Sequence, residues 1–182
     1  MTVPLCVDLD GTLLTTDSCW EAFFLLMKKN PLFVFYCGVW ILRGLAYLKF
    51  KIGERVDINP ATFSYSEDLL RFLHTECADG RELILVTAAT RKVAEKIAAH
   101  LGIFSDVIAS DSATNVKGEM KRRILDGRFG HGCYDYAGNS PVDVAVWRGA
   151  RQAIVVNASA KTLRLAKKIG NVQRVFMNGI KS

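Results

Sequence analysis

Short apolar runs separated by helical patterns recur along most of the chain. Such runs, each bounded by turn-forming or polar residues, are typical of buried strands in βαβ units, where helices cover both faces of a parallel sheet. We therefore predict an α/β fold with a three-layer, Rossmann-like parallel sheet. The predicted strands are 3–7, 82–86, 106–109, 134–137, 153–156 and 173–176, and the predicted helices are 66–78, 90–101, 117–126, 141–150 and 160–169.

Residues 18–65 break this alternation. Ser18 is suited to cap a helix over 19–29, and Asn30 followed by Pro31 is suited to begin a second helix. We therefore predict one domain over the whole chain, with a small helical cap inserted after the first strand.

The second part of this insertion, residues 32–48, is apolar on nearly all sides. A helix of that kind is buried, lies among lipid headgroups, or packs against a partner. The apolar run is interrupted by Arg43 before it is long enough to cross a bilayer. We expect either membrane-surface contact or self-association through this segment.

The charge balance favours anionic partners. Lys and Arg number 24 against 18 Asp and Glu, which gives a net charge of +6. Phosphorylated molecules and anionic membranes fit this charge. The basic residues are spread over several predicted helices and no nucleic-acid-binding motif is present, so we expect no nucleic acid. Five cysteines without a CxxC pair indicate reduced thiols and a cytoplasmic protein.

Two carboxylates follow the first predicted strand. Asp8 and Asp10 are one residue apart, and Gly11 permits the turn that lets both face one site. Such a pair suits phosphoryl chemistry, in which one aspartate attacks phosphorus and the other protonates the leaving oxygen. On its own the pair also fits a capped turn or a fragment of a calcium loop.

Three later residues favour the catalytic interpretation. Thr87 ends the second predicted strand, Lys117 opens a helix, and Asp143 follows the fourth strand. Ligands bind beyond the carboxyl ends of strands in open α/β sheets, so these side chains are expected to meet Asp8 and Asp10 there. The Thr87 hydroxyl and the amides that follow it are suited to hold a phosphate, and Lys117 is suited to neutralise the oxygens of the carboxylate and the phosphate together.

This ordered set resembles the haloacid dehalogenase (HAD) superfamily, specifically the phosphatases of its phosphoserine-phosphatase branch. The resemblance implies a Mg²⁺-dependent phosphomonoester hydrolase with an aspartyl-phosphate intermediate. It implies that Asp8 is the nucleophile and Asp10 the general acid and base. The implied catalytic residues are Asp8, Asp10, Thr87 and Lys117; the phosphate-binding residues are Gly11, Thr87, Ala88 and Lys117; the Mg²⁺ ligands are Asp8, Asp10, Asn139 and Asp143.

Asn139 departs from the family pattern. The family usually has an aspartate at this position, and the amide oxygen of asparagine brings no charge to a site that holds Mg²⁺ mainly through carboxylates. The alternative function is therefore a catalytically weakened HAD domain that regulates or docks onto a membrane enzyme.

A narrower resemblance concerns residues 134–147 and 153–157. These stretches are similar to the HAD domain found ahead of UbiA-like prenyltransferases in bacterial fusion proteins. That likeness implies a lipid-linked or prenyl-pathway phosphate as substrate and a membrane prenyltransferase as partner. The apolar segment would then lie at the inner face of the membrane, against that partner, or in a homodimer.

Overall fold

The computed structural model describes residues 2–30, 32–111 and 114–177. Within these residues a six-stranded parallel sheet forms the centre of the molecule, in the order β3-β2-β1-β4-β5-β6. The predicted fold class is confirmed, and every predicted strand is present. The second strand runs to Thr90, four residues beyond its predicted range, so Thr87 lies within the strand and does not end it. The strands are β1 (Leu5–Val7), β2 (Leu83–Thr90), β3 (Asp106–Ser110), β4 (Asp135–Gly138), β5 (Gln152–Val156) and β6 (Val172–Phe176).

Helices cover both faces of this sheet. The helical pattern predicted over 141–150 is divided, because a 3₁₀ turn over Pro141–Asp143 precedes the α-helix. The helices are α1 (Ser18–Lys29), α2 (Phe33–Ile41), α3 (Leu45–Arg55), α4 (Glu67–Ala78), α5 (Arg91–Leu101), α6 (Gly118–Phe129), α7 (Val144–Gly149) and α8 (Ala160–Ile169), with a second 3₁₀ turn over Pro60–Thr62.

The alternation of side chains along β1 divides the core between the two faces. Leu5 and Val7 join a cluster with the cap helices, α4 and α5, whereas Cys6 joins a cluster with α6, α7 and α8. Successive side chains of a strand point to opposite faces, so a sheet covered on both sides requires apolar residues at consecutive positions. Burial of both faces of the sheet therefore explains the short apolar runs in the sequence.

The cap differs from its prediction in two places. Asp17, rather than Ser18, caps α1: its side chain accepts a hydrogen bond from the Cys19 amide at 2.8 Å. The apolar segment over 32–48 is not one helix, because α2 ends at Ile41 and Gly44 has a φ of 103°. Glycine adopts this conformation without steric cost, and the break begins α3 in a new direction. The helix start predicted at Pro31 lies outside the described residues.

Helix α3 seats the cap on the sheet. A Cβ atom added at Gly53 would lie 2.5 Å from the Thr90 hydroxyl at the end of β2, so glycine lets the helix backbone pack directly against the Thr90 side chain. The cap therefore lies over the carboxyl end of the strands. In the part of the chain that the structure describes, no helix is both long and apolar enough to cross a membrane.

Candidate active site

A cavity of about 360 Å³ opens at the carboxyl ends of the central strands. The loop after β1, the start of the cap, the end of β2, α6 and the loop after β4 all contribute to its walls. Residues far apart in sequence meet here, as the strand-end pattern predicted. The lining residues are Asp8, Asp10, Gly11, Thr15, Thr16, Asp17, Ala88, Lys117, Gly118, Lys121, Asn139, Ser140, Val142 and Asp143.

Asp8 lies at the base of this cavity and is held by two donors. Its Oδ1 accepts a hydrogen bond from Lys121 Nζ at 2.6 Å, and its Oδ2 accepts one from the Thr12 hydroxyl at 3.1 Å. Burial raises the pKa of Asp8 to about 6; Lys121 opposes this shift, and the negative charge of Asp143 adds to it. The result is a poorly hydrated carboxylate in a fixed orientation, which suits a nucleophile.

Asp10 connects the cavity to the cap. Its Oδ1 accepts a hydrogen bond at 2.7 Å from the backbone amide of Ser18, the first residue of α1. Gly11 makes the turn after it with a φ of 75°, and a Cβ atom at this position would collide with the Asn139 side chain. Glycine is therefore needed here both for the backbone conformation and for the close approach of Asn139.

Lys121 contacts Asp8 in this cavity, although the sequence pattern did not single it out. Its Nζ donates to Asp8 at 2.6 Å, to the Val86 carbonyl at 3.0 Å and to the Tyr136 hydroxyl at 2.8 Å. An ammonium group has three N–H donors, so all of them are engaged. Lys121 comes four residues after Lys117, but Lys117 precedes α6 in an extended conformation, so helical spacing gave no signal that Lys121 faces Asp8.

Lys117, to which the sequence assigned this contact, lies elsewhere in the same cavity. It precedes α6, lines the cavity and is exposed, and its side chain makes no hydrogen bond or ion pair with any residue that the structure describes. The two lysines therefore occupy different positions: Lys121 is bound to Asp8, and Lys117 is accessible from the cavity.

Asp143 is buried and fully hydrogen-bonded. Its Oδ1 accepts from the Tyr136 hydroxyl at 2.8 Å, and its Oδ2 accepts from the amides of Asn139 and Ser140 at 3.1 and 2.9 Å and from the Ser140 hydroxyl at 2.9 Å. Burial raises the pKa of Tyr136 well above its usual value, so this phenol remains a donor. Asp143 thus holds the loop that carries Asn139.

Thr87 lies beside the cavity rather than in its wall. Its side chain is fully buried, and its hydroxyl accepts a hydrogen bond from the Ala89 amide at 2.9 Å. Ala88, the next residue of β2, does line the cavity. A phosphate in the cavity could therefore reach Ala88. Phosphate binding by Ala88 and by the Thr87 hydroxyl both stay predictions.

The donor set of the cavity suits a hard cation with few charged ligands. Asp8, Asp10 and Asn139 bring carboxylate and amide oxygens, the ligand atoms that Mg²⁺ prefers. Among the described residues no group of three or more His, Cys, Asp or Glu side chains is arranged to hold a metal, and the Asp143 oxygens are engaged by other donors. Oxygen donors of this kind fit Mg²⁺, and the set of four ligands that the resemblance implies stays a prediction.

Comparison with known proteins agrees with this geometry. The family model described as haloacid dehalogenase-like hydrolase matches residues 32–152. The chain belongs to this family. The uncharacterized protein y4nM of Sinorhizobium fredii (strain NBRC 101917 / NGR234) is 32% identical to this haloacid dehalogenase-like chain over 159 residues, which are 87% of the chain. The match covers 31% of that relative, so the chain spans about a third of the relative's length.

Solved structures show the same fold at low sequence identity. A protein with unknown function from Bordetella pertussis Tohama I is similar with a TM-score of 0.71 and 20% identity, over 96% of this chain and 99% of that one. A phosphoserine phosphatase in apo form matches with a TM-score of 0.64 and 13% identity, over 98% and 94% of the two chains. A phospho-aspartyl intermediate analogue of phosphoserine phosphatase matches with a TM-score of 0.62 and 14% identity, over 97% of this chain and 94% of that one. These likenesses show the fold, which the chain shares with the phosphoserine phosphatases.

Proposed function

We propose that this protein is a Mg²⁺-dependent phosphomonoester hydrolase that forms an aspartyl-phosphate on Asp8. The observation that carries the proposal is the buried Asp8 carboxylate, oriented by Lys121 and Thr12 at the base of a cavity that also contains Asp10. A nucleophile, an acid and a cation within one cavity are the groups that phosphoryl transfer to a carboxylate requires.

The proposed reaction has two halves. In the first, an Asp8 carboxylate oxygen attacks phosphorus, the bond from phosphorus to the leaving oxygen breaks, and Asp10 gives that oxygen a proton. In the second, Asp10 takes a proton from a water molecule that attacks the phosphorus. The bond between phosphorus and the Asp8 oxygen breaks, inorganic phosphate leaves, and the Asp8 carboxylate is restored.

The cations have separate tasks in this scheme. Lys121 is a positioning residue, since its three donors are engaged by the protein. Lys117 and Ala88 line the cavity, and we assign them to the phosphate. When bound, Mg²⁺ would neutralise charge between the Asp8 carboxylate and the phosphate. Asp8, Asp10 and Asn139 would hold the ion, and Asp143 would keep the Asn139 loop in place.

Turnover of phosphomonoesters with and without Mg²⁺ tests the proposal. A screen over sugar, amino-acid and polyprenyl phosphates should show release of phosphate by the wild-type protein. Asp8→Asn should release none while its circular dichroism is unchanged, because the amide keeps the shape of the side chain and lacks its nucleophilicity. Mass spectrometry after acid quenching should find one phosphoryl group on the peptide that contains Asp8. Full activity in Asp8→Asn, or turnover of no substrate class, would contradict the proposal.

A second candidate is a catalytically weakened domain that docks onto another protein, such as a membrane prenyltransferase. Asn139 in place of a carboxylate, together with the fully hydrogen-bonded Asp143, favours it. The same screen discriminates between the two candidates, since a docking domain hydrolyses none of the substrates. Activity confined to polyprenyl phosphates would support a lipid-linked substrate for the first candidate.

A further inference from the structure

The second cap helix has two apolar faces, and only one of them is buried. Cys37 and Trp40 face the core with 8% and 9% exposure. The opposite side carries an apolar stripe at helical spacing. We call this stripe the outer cap face; its residues and their exposures are Leu32 (60%), Phe35 (72%), Tyr36 (57%), Val39 (60%) and Leu42 (85%).

Exposure on this scale in one short segment is unusual for a surface without a partner. Helix α1 adds Trp20 and Phe24, which are 62% and 59% exposed and lie four residues apart on one side of that helix. Asp17 caps α1 and lines the active-site cavity, so the exposed apolar surface of α1 begins close to the cavity.

The cap also carries most of the excess positive charge. Residues 18–55 contain six Lys and Arg against two Glu. No ion pair with a described residue neutralises Lys28, Lys29, Arg43 or Arg55. The guanidinium groups of Arg43 and Arg55 lie over the Tyr47 and Trp40 rings instead. The cap thus combines an exposed apolar stripe with cations that no described acid neutralises, and a partner must match both.

We infer that the outer cap face binds the surface of an anionic phospholipid bilayer. The acyl chains near the headgroups of such a surface would cover Phe35, Val39 and Leu42. The lipid phosphates would neutralise the cations of the cap. A second copy of the chain would bring its own unpaired cations to the contact and repel. A nucleic acid would neutralise the cations and leave the apolar side chains exposed to water. The inference does not depend on catalysis at Asp8.

Vesicle co-sedimentation tests this inference without a turnover assay. The probes are vesicles of phosphatidylcholine alone and of phosphatidylcholine with about one third phosphatidylglycerol. The wild-type protein should bind the anionic vesicles at least about tenfold better than the neutral ones, and added salt should reduce the difference. Equal binding to both vesicles, or binding to neither, would overturn the inference.

Paired variants locate the contact. Phe35→Ser with Leu42→Ser should abolish vesicle binding, and Lys28→Gln with Lys29→Gln should weaken binding to anionic vesicles only. The matched control is Val175→Ser with Met177→Ser, which removes exposed apolar side chains at β6 and should bind as the wild type does. Circular dichroism establishes that each variant is folded. A dimer that the Phe35 and Leu42 pair abolishes, in a protein without affinity for vesicles, would show that a second copy covers the face instead.

Discussion

At the scale of single residues, the two lysines of the cavity have different environments. Lys121 neutralises the Asp8 carboxylate, and Lys117 is accessible to a ligand. Lys121 Nζ is bound to Asp8, to the Val86 carbonyl and to Tyr136, whereas Lys117 is exposed in the cavity. A buried ammonium next to a buried carboxylate keeps that carboxylate ionised, because the cation offsets part of the desolvation that raises its pKa. An exposed ammonium is free to meet an incoming phosphate.

The two lysines should therefore fail in different ways when each is replaced by methionine. In Lys121→Met the acidic limb of the pH–rate profile should move to higher pH, since loss of the cation raises the pKa of Asp8 further above its value of about 6. In Lys117→Met that limb should stay in place, and inhibition by inorganic phosphate should weaken about tenfold or more. Steady-state kinetics across pH measure both effects. The same shift in both variants would contradict these separate roles.

Asn139 gives a second prediction at this scale. Asn139→Asp should bind Mg²⁺ more tightly, by about tenfold, because a third carboxylate joins Asp8 and Asp10 at the ion. Without metal the variant should unfold at a lower denaturant concentration than the wild type, since like charges are brought together in a poorly hydrated site. Isothermal titration and urea denaturation measure the two effects. Unchanged Mg²⁺ affinity would mean that the Asn139 side chain does not face the ion.

The sequence could place Asp8, Asp10 and Gly11 together because residues directly after a buried strand, with a glycine turn, have few ways to continue. It could not single out Lys121, because the sequence pattern of a helix does not distinguish a lysine that is buried from one on the surface. Only the packing of α6 against β1 and β4 shows which of the two lysines reaches Asp8. The sequence placed Asp143 at this end of the sheet, but it did not show that the Asn139–Ser140 loop donates hydrogen bonds to its carboxylate.

At the scale of elements, the strands were easier to predict than the cap. A strand buried on both faces must be apolar at consecutive positions, so β1, β2 and β5 were visible as short runs with polar ends. Helix α2 is apolar on its buried and its exposed side, so its periodicity indicates neither its orientation nor its end. Gly44 was the available signal for the break before α3, since it ends the helical run with a positive φ.

The inner side of α2 should contribute far more to stability than the outer side. Trp40 is 9% exposed, contacts the Phe33 and Tyr36 rings, and has the Arg55 guanidinium 4.7 Å from its ring centre. Trp40→Ala should lower the free energy of unfolding by about 3–5 kcal/mol, the range for large aromatic truncations in a core.

Val39, one residue earlier, is the control because it is 60% exposed. Val39→Ala should change the free energy of unfolding by no more than about 0.5 kcal/mol. Urea denaturation followed by circular dichroism measures both variants. Equal losses would show that α2 is packed the other way round.

At the scale of the whole molecule, the two ends of the sheet perform different tasks. The carboxyl end gathers Asp8, Asp10 and Lys121 around a cavity that is open to ligand. The amino end holds an ion cluster around Asp135, which is fully buried and pairs with Arg81 and Arg151. At the carboxyl end, burial raises the pKa of Asp8. At the amino end, the Asp135 carboxylate is paired with two guanidinium groups of the protein.

The Asp135 cluster connects segments that are distant in sequence. Asp135 accepts hydrogen bonds from Arg151 Nε at 2.9 Å and Nη2 at 2.7 Å, and a further one from Arg81. Arg81 Nε also donates to the Val3 carbonyl at 2.9 Å, and the same guanidinium pairs with Glu76 at the end of α4. The cluster thus joins the start of the chain to α4, β4 and β5.

Asp135→Ala should therefore lower stability without changing the chemistry. Its removal leaves two guanidinium groups facing a fully buried position, and loss of one partner from a buried ion pair costs about 3–5 kcal/mol. We expect the lower end of that range, because the Arg151 side chain is 45% exposed and regains water. Asp68→Ala breaks an exposed pair with Arg71 and is the control, expected to cost about 0–1 kcal/mol. Urea denaturation measures the stabilities, and Mg²⁺ titration of the folded variants measures the site. If Mg²⁺ affinity fell in Asp135→Ala under conditions where the variant is folded, the two ends of the sheet would not be independent.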